Sequence, residues 1–169
     1  TAAFPQADAA ELAEAELAAE ISACVPHPET IALIRAAKAK GLRVIVVSDT
    51  YFTSAELRRL LEATIPADAY AAIDDVFVSS AVGNSKAKGM FKPVLDKLGV
   101  RARDVLHVGD NLQADYVAAK ALGMNACHLL HHGADGEEIL RMQTTAASLL
   151  MPTLRDTKDE FIVIDFAGR

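Results

Sequence analysis

Residues 105–115 read VLHVGDNLQAD, in which a strand-like apolar run is followed directly by a polar loop. An apolar run ends at Gly109, which permits a tight exit, and Asp110 then stands at the tip of a predicted strand. Asp115 follows about one helical turn later and can lean back towards the same point. Carboxylate oxygens are the hard ligands that Mg²⁺ binds, so the pattern predicts a metal site at Asp110 and Asp115. The alternative is that Asp110 caps a helix and Asp115 is a surface charge.

Strands and helices alternate along the rest of the chain. The run 43–48 is apolar and β-branched almost throughout, which predicts a strand buried on both faces. Strands that alternate with helices of about ten to fifteen residues indicate βαβ units, so the predicted fold class is α/β with a mostly parallel sheet. The predicted strands are 43–48, 75–79, 104–108, 125–130 and 160–165, and the predicted helices are about 7–24, 28–40, 89–98, 112–122 and 135–150, with one more opened by a capping box at 53–56.

Composition limits the class of protein. Hydrophobic residues make up 51% of the 169 residues, which excludes general disorder, and no apolar run has the length of a membrane span. The net charge of -6 argues against a nucleic-acid surface. No signal peptide is visible at the start, and Cys24 and Cys127 stand in no paired motif, which predicts reduced, partly buried thiols in a cytoplasmic protein.

Polar residues follow two further predicted strands. Ser48, Asp49 and Thr50 come directly after the run 43–48, where a hydroxyl and backbone N–H groups can donate to a phosphate. The alternative is that these residues only form a turn or cap a helix. The second predicted strand leads through a Gly/Asn loop to Lys86, whose charge could neutralise a phosphoryl group. Polar residues beyond the carboxyl ends of parallel strands form the site in such sheets.

These segments, taken together and in this order, resemble the haloacid dehalogenase (HAD) superfamily of phosphatases and related hydrolases. Ser48 looks like its second motif, Lys86 like its third with Lys88 as the other candidate, and residues 105–111 with Asp115 like its fourth. The resemblance covers residues from about 20 to 130. The chain is most similar to predicted HAD hydrolase domains of larger bacterial proteins, some fused to glycosyltransferases.

The resemblance implies a three-layer Rossmann-like core and a Mg²⁺-dependent phosphohydrolase that acts on a small phosphorylated substrate through an aspartyl-phosphate. Ser48 and Lys86 would be catalytic groups holding the phosphoryl group, and Asp110 and Asp115 would hold Mg²⁺. The residues implied to bind substrate are Ser48, Asp49, Thr50, Lys86 and Asn111. The alternative function is a non-catalytic HAD-like module that binds phosphorylated ligands or docks within a larger protein.

One expected motif is missing before Ser48. Family members attack phosphate with the first Asp of an Asp-x-Asp sequence on their first strand, and no such sequence follows an apolar run there. Residues 1–25 look like the remnant of a helical cap or a linker, 26–150 like the core, and 151–169 like an extension with a strand at 160–165. We therefore expect the chain to begin partway through the domain. The nucleophile would then lie upstream or at Asp165, which ends the strand-like terminal run, and the alternative for that run is an added edge strand.

Overall fold

The computed structural model describes residues 8–130 of the chain. The chain divides into two compact units, with the boundary between Gly99 and Val100, and each unit is described by itself. None of the helices in the described part is both long and apolar enough to cross a membrane. The predicted helix at 135–150 and the predicted strand at 160–165, with Asp165, lie outside the described residues.

The first unit alternates helices with two strands. α2 begins at Pro28 and is followed by Gly41 in the left-handed conformation (φ +72°), as the sequence predicts. A capping box opens α3, because Thr53 Oγ1 accepts from Glu56 N and a Glu56 carboxylate oxygen accepts from Thr53 N. In chain order the elements are α1 (Ala9–Ala23), α2 (Pro28–Ala39), β1 (Val44–Ser48), α3 (Ser54–Thr64), α4 (Ala67–Ala71), β2 (Ile73–Val78), α5 (Ser79–Val82) and α6 (Phe91–Leu98).

β1 and β2 form a parallel pair in which Ser48 lies opposite Val78. Both strands therefore end at the same edge, and the polar loops that follow them meet there. The crossover between them runs through α3 and α4, as a parallel connection requires. The predicted α/β class with parallel strands is confirmed.

The core of the first unit lies on both sides of this strand pair. Leu57 of α3 packs with Ile73, Val76 and Val78, while Phe77 packs on the other side with α6 residues and Met90. Each β1 residue is only half-buried, which differs from the predicted burial on both faces. In the described residues β1 is hydrogen-bonded to another strand along one edge only. The residues of β1 therefore remain partly exposed to solvent along the other edge.

α1 contacts α3 and has one deeply buried side chain. Leu17 is 1% exposed, and beside it the Glu14 carboxylate accepts two hydrogen bonds from Arg59, at 2.7 and 2.8 Å. The ion pair is half-exposed, so solvent screens it and its contribution to stability is small. Docking of α1 therefore depends mainly on Leu17.

The second unit has the same parallel pattern on a smaller scale. β3 (Leu106–Gly109) pairs with β4 (Asn125–His128), and Gly109 lies opposite His128. A π-helical segment (Leu112–Val117) joins β3 to α7 (Ala118–Ala121), so the helix predicted at 112–122 is confirmed but starts with wider turns. Such π-helical turns often occur at functional sites.

Both cysteines are exposed, whereas the sequence predicts that they are partly buried. Cys24 follows the last residue of α1 and is its C-cap. Its backbone is extended there, so its side chain does not continue the helix face that buries Leu17. In β4 exposure alternates, and Cys127 falls on the exposed face. The predicted burial of the thiols is therefore wrong.

Candidate active site

Two loops at one edge of the first unit's strand pair are joined by hydrogen bonds. Thr50 N donates to Ser79 Oγ at 2.9 Å, and Ser79 Oγ donates to Thr50 O at 3.0 Å. The Asp49 carboxylate accepts from Lys86 N at 2.8 Å. These bonds hold the segment after Ser48 against the segment that carries Lys86. The loops therefore form one connected polar edge, and Asp49 and Thr50 help to build it.

The two candidate lysines differ in their surroundings. A short 3₁₀ turn spans Lys86–Lys88, with Lys86 half-buried and Lys88 exposed. Since the backbone of Lys86 is tied to Asp49, its position relative to the end of β1 is fixed more firmly than that of Lys88. The structure thus favours Lys86 as the lysine held close to the loop after Ser48.

An open concavity of about 430 Å³ lies at the same edge. Its lining carries hydroxyl and amide groups and no Asp, Glu, Lys or Arg. Neutral donors and acceptors of this kind suit hydrogen bonding to a polar ligand. The lining residues are Thr50, Tyr51, Ser79, Ser80, Gly83, Asn84 and Ser85.

Tyr51 connects this edge to α1. Its hydroxyl donates to a Glu16 carboxylate oxygen at 2.8 Å. That hydrogen bond, partial burial, and the negative charges of Glu16 and Glu20 raise the pKa of Tyr51 to about 12, because each disfavours the phenolate.

We expect Glu16→Gln to lower the pKa of Tyr51 towards the ordinary tyrosine value of about 10, since the hydrogen-bonded negative charge is removed. The ultraviolet absorbance of the phenolate, followed over an alkaline titration, measures this change. Glu11→Gln removes the same charge from the exposed first turn of α1 and serves as the matched control. An equal pKa in both variants would contradict the Tyr51–Glu16 contact.

In the second unit, Asp115 lies against Gly109. The Asp115 side chain is 2% exposed, and an added Cβ on Gly109 would come within 2.7 Å of Asp115 Cβ and closer still to its carboxylate. Real Cβ atoms do not approach other carbons so closely. The glycine is therefore required by this contact, and the buried Asp115 is not a surface charge.

His107 bonds the same carboxylate. Its Nε2 lies 2.8 Å from Asp115 Oδ1, while Asp115 Oδ2 accepts from Asn111 N at 3.0 Å. His107 and Gly109 are two residues apart in β3, so their side-chain directions share one face of the strand. Asp115 meets both for that reason. The contact with Asp115 gives the half-buried His107 ring a hydrogen-bond partner.

The loop between β3 and the helix presents Asp110. Asp110 is exposed, and its carbonyl oxygen accepts from His128 Nε2 at 2.6 Å, since a carbonyl can only accept. The Asn111 side chain caps the helix by accepting from Gln113 N and Ala114 N. Asn111 was predicted to bind substrate, and its observed contacts are those of an N-cap.

The donor chemistry at this loop suits a hard cation. Within residues 8–130, no three His, Cys, Asp or Glu side chains lie close enough to hold a metal ion by themselves. Mg²⁺ commonly takes one or two carboxylates and fills its other positions with water and substrate oxygens. Asp110, exposed at the strand tip, fits this requirement, whereas both Asp115 oxygens already accept hydrogen bonds from the protein.

Sequence reasoning missed two contributors to this loop, namely the bond from His107 to Asp115 and the bond from His128 to Asp110. The spacing of His107 and Gly109 on one strand face could have indicated the first. Nothing in the local sequence indicated the second, because it depends on the pairing of β3 with β4.

Comparisons with known proteins agree on one family. Residues 2–123 match the family model of haloacid dehalogenase-like hydrolases. A glyceraldehyde 3-phosphate phosphatase from Methanocaldococcus jannaschii is 32% identical over 106 residues, which are 62% of this chain and 44% of that protein. Among solved structures, a HAD phosphatase from Thermococcus onnurineus has a TM-score of 0.53 at 24% identity, covering 63% of this chain and 47% of that one. The chain thus spans less than half the length of these relatives.

Proposed function

Because the chain belongs to the haloacid dehalogenase-like hydrolase family, we propose that it forms part of a Mg²⁺-dependent phosphohydrolase that acts on a small phosphorylated substrate. One observation carries the proposal. Asp110 is exposed at the tip of β3, on a loop whose geometry is held by the buried carboxylate of Asp115. Family membership alone would not select a metal ligand, and the exposed carboxylate at a fixed strand tip supports Asp110 in that role.

In the proposed reaction an aspartate carboxylate attacks phosphorus, forming an aspartyl-phosphate while the substrate oxygen leaves with the bonding electrons. Water then attacks the phosphorus and releases inorganic phosphate and the free carboxylate. Lys86 and the Ser48 hydroxyl hold the phosphoryl oxygens and offset their charge. A magnesium ion bound through Asp110 would neutralise further charge on the phosphoryl group.

A curated relative supports the proposed substrate class. The Methanocaldococcus jannaschii protein is named for a small phosphorylated aldehyde, and this supports a small phosphorylated metabolite here. In this proposal the uncharged lining of the concavity at the end of β1 and β2 would contact the neutral part of such a molecule.

The nucleophile is proposed either for Asp165 or for an Asp-x-Asp sequence upstream of Thr1, both outside the described residues. If Asp165 attacks phosphorus, Asp165→Asn abolishes Mg²⁺-dependent hydrolysis of p-nitrophenyl phosphate, since an amide is a far weaker nucleophile. Asp159→Asn, six residues earlier in the same terminal segment, is the control and retains activity. The measurement is release of p-nitrophenol with and without EDTA.

Equal activity of the Asp165→Asn variant and the parent chain assigns the nucleophile elsewhere. Turnover that resists EDTA contradicts the magnesium mechanism. Phosphate binding without any turnover, in a chain extended to include the upstream sequence, identifies the non-catalytic module instead.

The assignment of the third motif is tested by two lysine variants. We expect Lys86→Ala to lower hydrolysis roughly 10²-fold, because a positive charge on the phosphoryl group is lost. Lys88→Ala is matched in charge and lies two residues away on the exposed side of the same turn, so its activity stays close to that of the parent. The measurement is kcat/KM for p-nitrophenyl phosphate, and the reverse order of effects would reassign the motif to Lys88.

A further inference from the structure

One peptide group in the second unit is held from both sides. It joins Asp110 to Asn111. Its N–H donates to Asp115 Oδ2 at 3.0 Å, and its carbonyl oxygen accepts from His128 Nε2 at 2.6 Å. A peptide group is planar, so two bonds at its opposite edges fix the orientation of its plane. The direction of the Asp110 side chain depends on that plane.

The Asp115 bond is itself anchored by His107. Asp115 is 2% exposed, and its Oδ1 lies 2.8 Å from His107 Nε2. An ionised carboxylate can only accept hydrogen bonds, so Nε2 carries the proton in this contact. A buried carboxylate is costly without such partners, and His107 and Asn111 N supply one to each oxygen. The packing of Asp115 on Gly109 leaves the carboxylate little room to turn.

These contacts form a chain from two histidines to the exposed carboxylate. His107 acts through Asp115 on the N–H side of the Asp110–Asn111 peptide, and His128 acts directly on its carbonyl side. β3 carries His107 and β4 carries His128, so the pairing of the two strands sets the separation of the two anchors.

We propose that His107 and His128 are positioning residues that orient the Asp110 carboxylate for a divalent cation, through the Asp110–Asn111 peptide. The inference rests on the proposed function for the role of Asp110. It assigns Asp115 to the support of the loop. Groups that orient a metal ligand without touching the ion commonly change metal affinity 10–100-fold when they are removed.

Amide variants of different reach test the role of each histidine. The glutamine amide nitrogen extends nearly as far as histidine Nε2, whereas the asparagine amide nitrogen reaches only as far as Nδ1. His107→Gln and His128→Gln can therefore keep the bonds to Asp115 and to Asp110 O, while His107→Asn and His128→Asn lose them. Both amides are neutral and polar, so within each pair only reach and side-chain volume differ.

Two measurements on the full chain give the readouts. The first is hydrogen exchange of the Asn111 amide followed by NMR, which requires no metal. The second is Mn²⁺ affinity measured by electron paramagnetic resonance, with Asp110→Asn as the reference for loss of the ligand. We expect the asparagine variants to bind Mn²⁺ 10–100-fold more weakly than the parent and the glutamine variants to lie within a few-fold of it. Faster exchange of the Asn111 amide accompanies the loss in His107→Asn.

Each result decides the matter. Unchanged Mn²⁺ affinity in both asparagine variants overturns the positioning role, provided that Asp110→Asn lowers the affinity. Faster Asn111 exchange with unchanged affinity also overturns it, because the loop would then have loosened without consequence for the ion. Equal Mn²⁺ binding by the parent and Asp110→Asn overturns the proposed metal site itself, and with it this inference. If one asparagine variant fails to fold, the pair of variants at the other histidine decides.

Discussion

Asp110→Asn is expected to lower Mg²⁺-dependent hydrolysis of p-nitrophenyl phosphate by about 10²–10³-fold. The substitution preserves the shape of the side chain and removes its negative charge, so the proposed metal ligand is lost while the backbone contact with His128 is kept. Losing one well-placed electrostatic group in an active site costs rates of this order. The measurement is kcat/KM over a range of Mg²⁺ concentrations.

Asp104→Asn is the matched control for this change. Asp104 is also exposed and lies in the same unit, where its carboxylate pairs with Arg101 at the surface. Its loss removes the same charge without touching the loop after β3, so activity stays near that of the parent. A similar fall in both variants would indicate a general effect of net charge, and no fall in either would remove Asp110 from the mechanism.

Gly109→Ala is expected to destabilise the protein by roughly 3 kcal/mol, through a single added methyl group. The methyl carbon would overlap the Asp115 side chain, which lies within 2.7 Å of the position that it would occupy. Because Asp115 is buried, it cannot move aside without giving up the hydrogen bonds to His107 and Asn111 N. The denaturant dependence of unfolding measures the change.

The comparison for Gly109→Ala is Gly123→Ala, which follows α7 in the same unit. Gly123 has φ +83° and no atom within 4 Å of an added Cβ, so the alanine meets backbone strain and no overlap. That strain costs roughly 1 kcal/mol. If Gly109→Ala were no more destabilising than Gly123→Ala, the result would contradict the close contact between Asp115 and Gly109.

Local signals in the sequence predicted the elements well. Pro28 and Gly41 bound α2 near the predicted limits, and the capping box at Thr53 opens α3 as expected. These signals act within a few residues, where propensity and capping are independent of the rest of the fold. The alternation of strands and helices along the chain was then enough to predict parallel strands.

The candidate site was predicted by position but not by contact. Each unit taken by itself has the predicted residues at or after a strand end, since Ser48 ends β1, Asp110 follows β3 and Asp115 lies in the segment after it. The roles of His107 and His128 were not predicted. His128 reaches Asp110 O only because β4 pairs with β3 in one register, and an isolated sequence does not specify that register. The exposure of Cys127 depends on the same register.

Gly109 and Asp115 share one volume. The place that a side chain at position 109 would fill is already taken by the carboxylate six residues later. The two positions therefore form one packing unit, and room gained at one is room lost at the other. A larger residue at 109 becomes acceptable only beside a smaller one at 115, and such a pair would also give up the acceptor that receives Asn111 N–H. Tolerance to substitution at this loop is thus a property of the pair of residues.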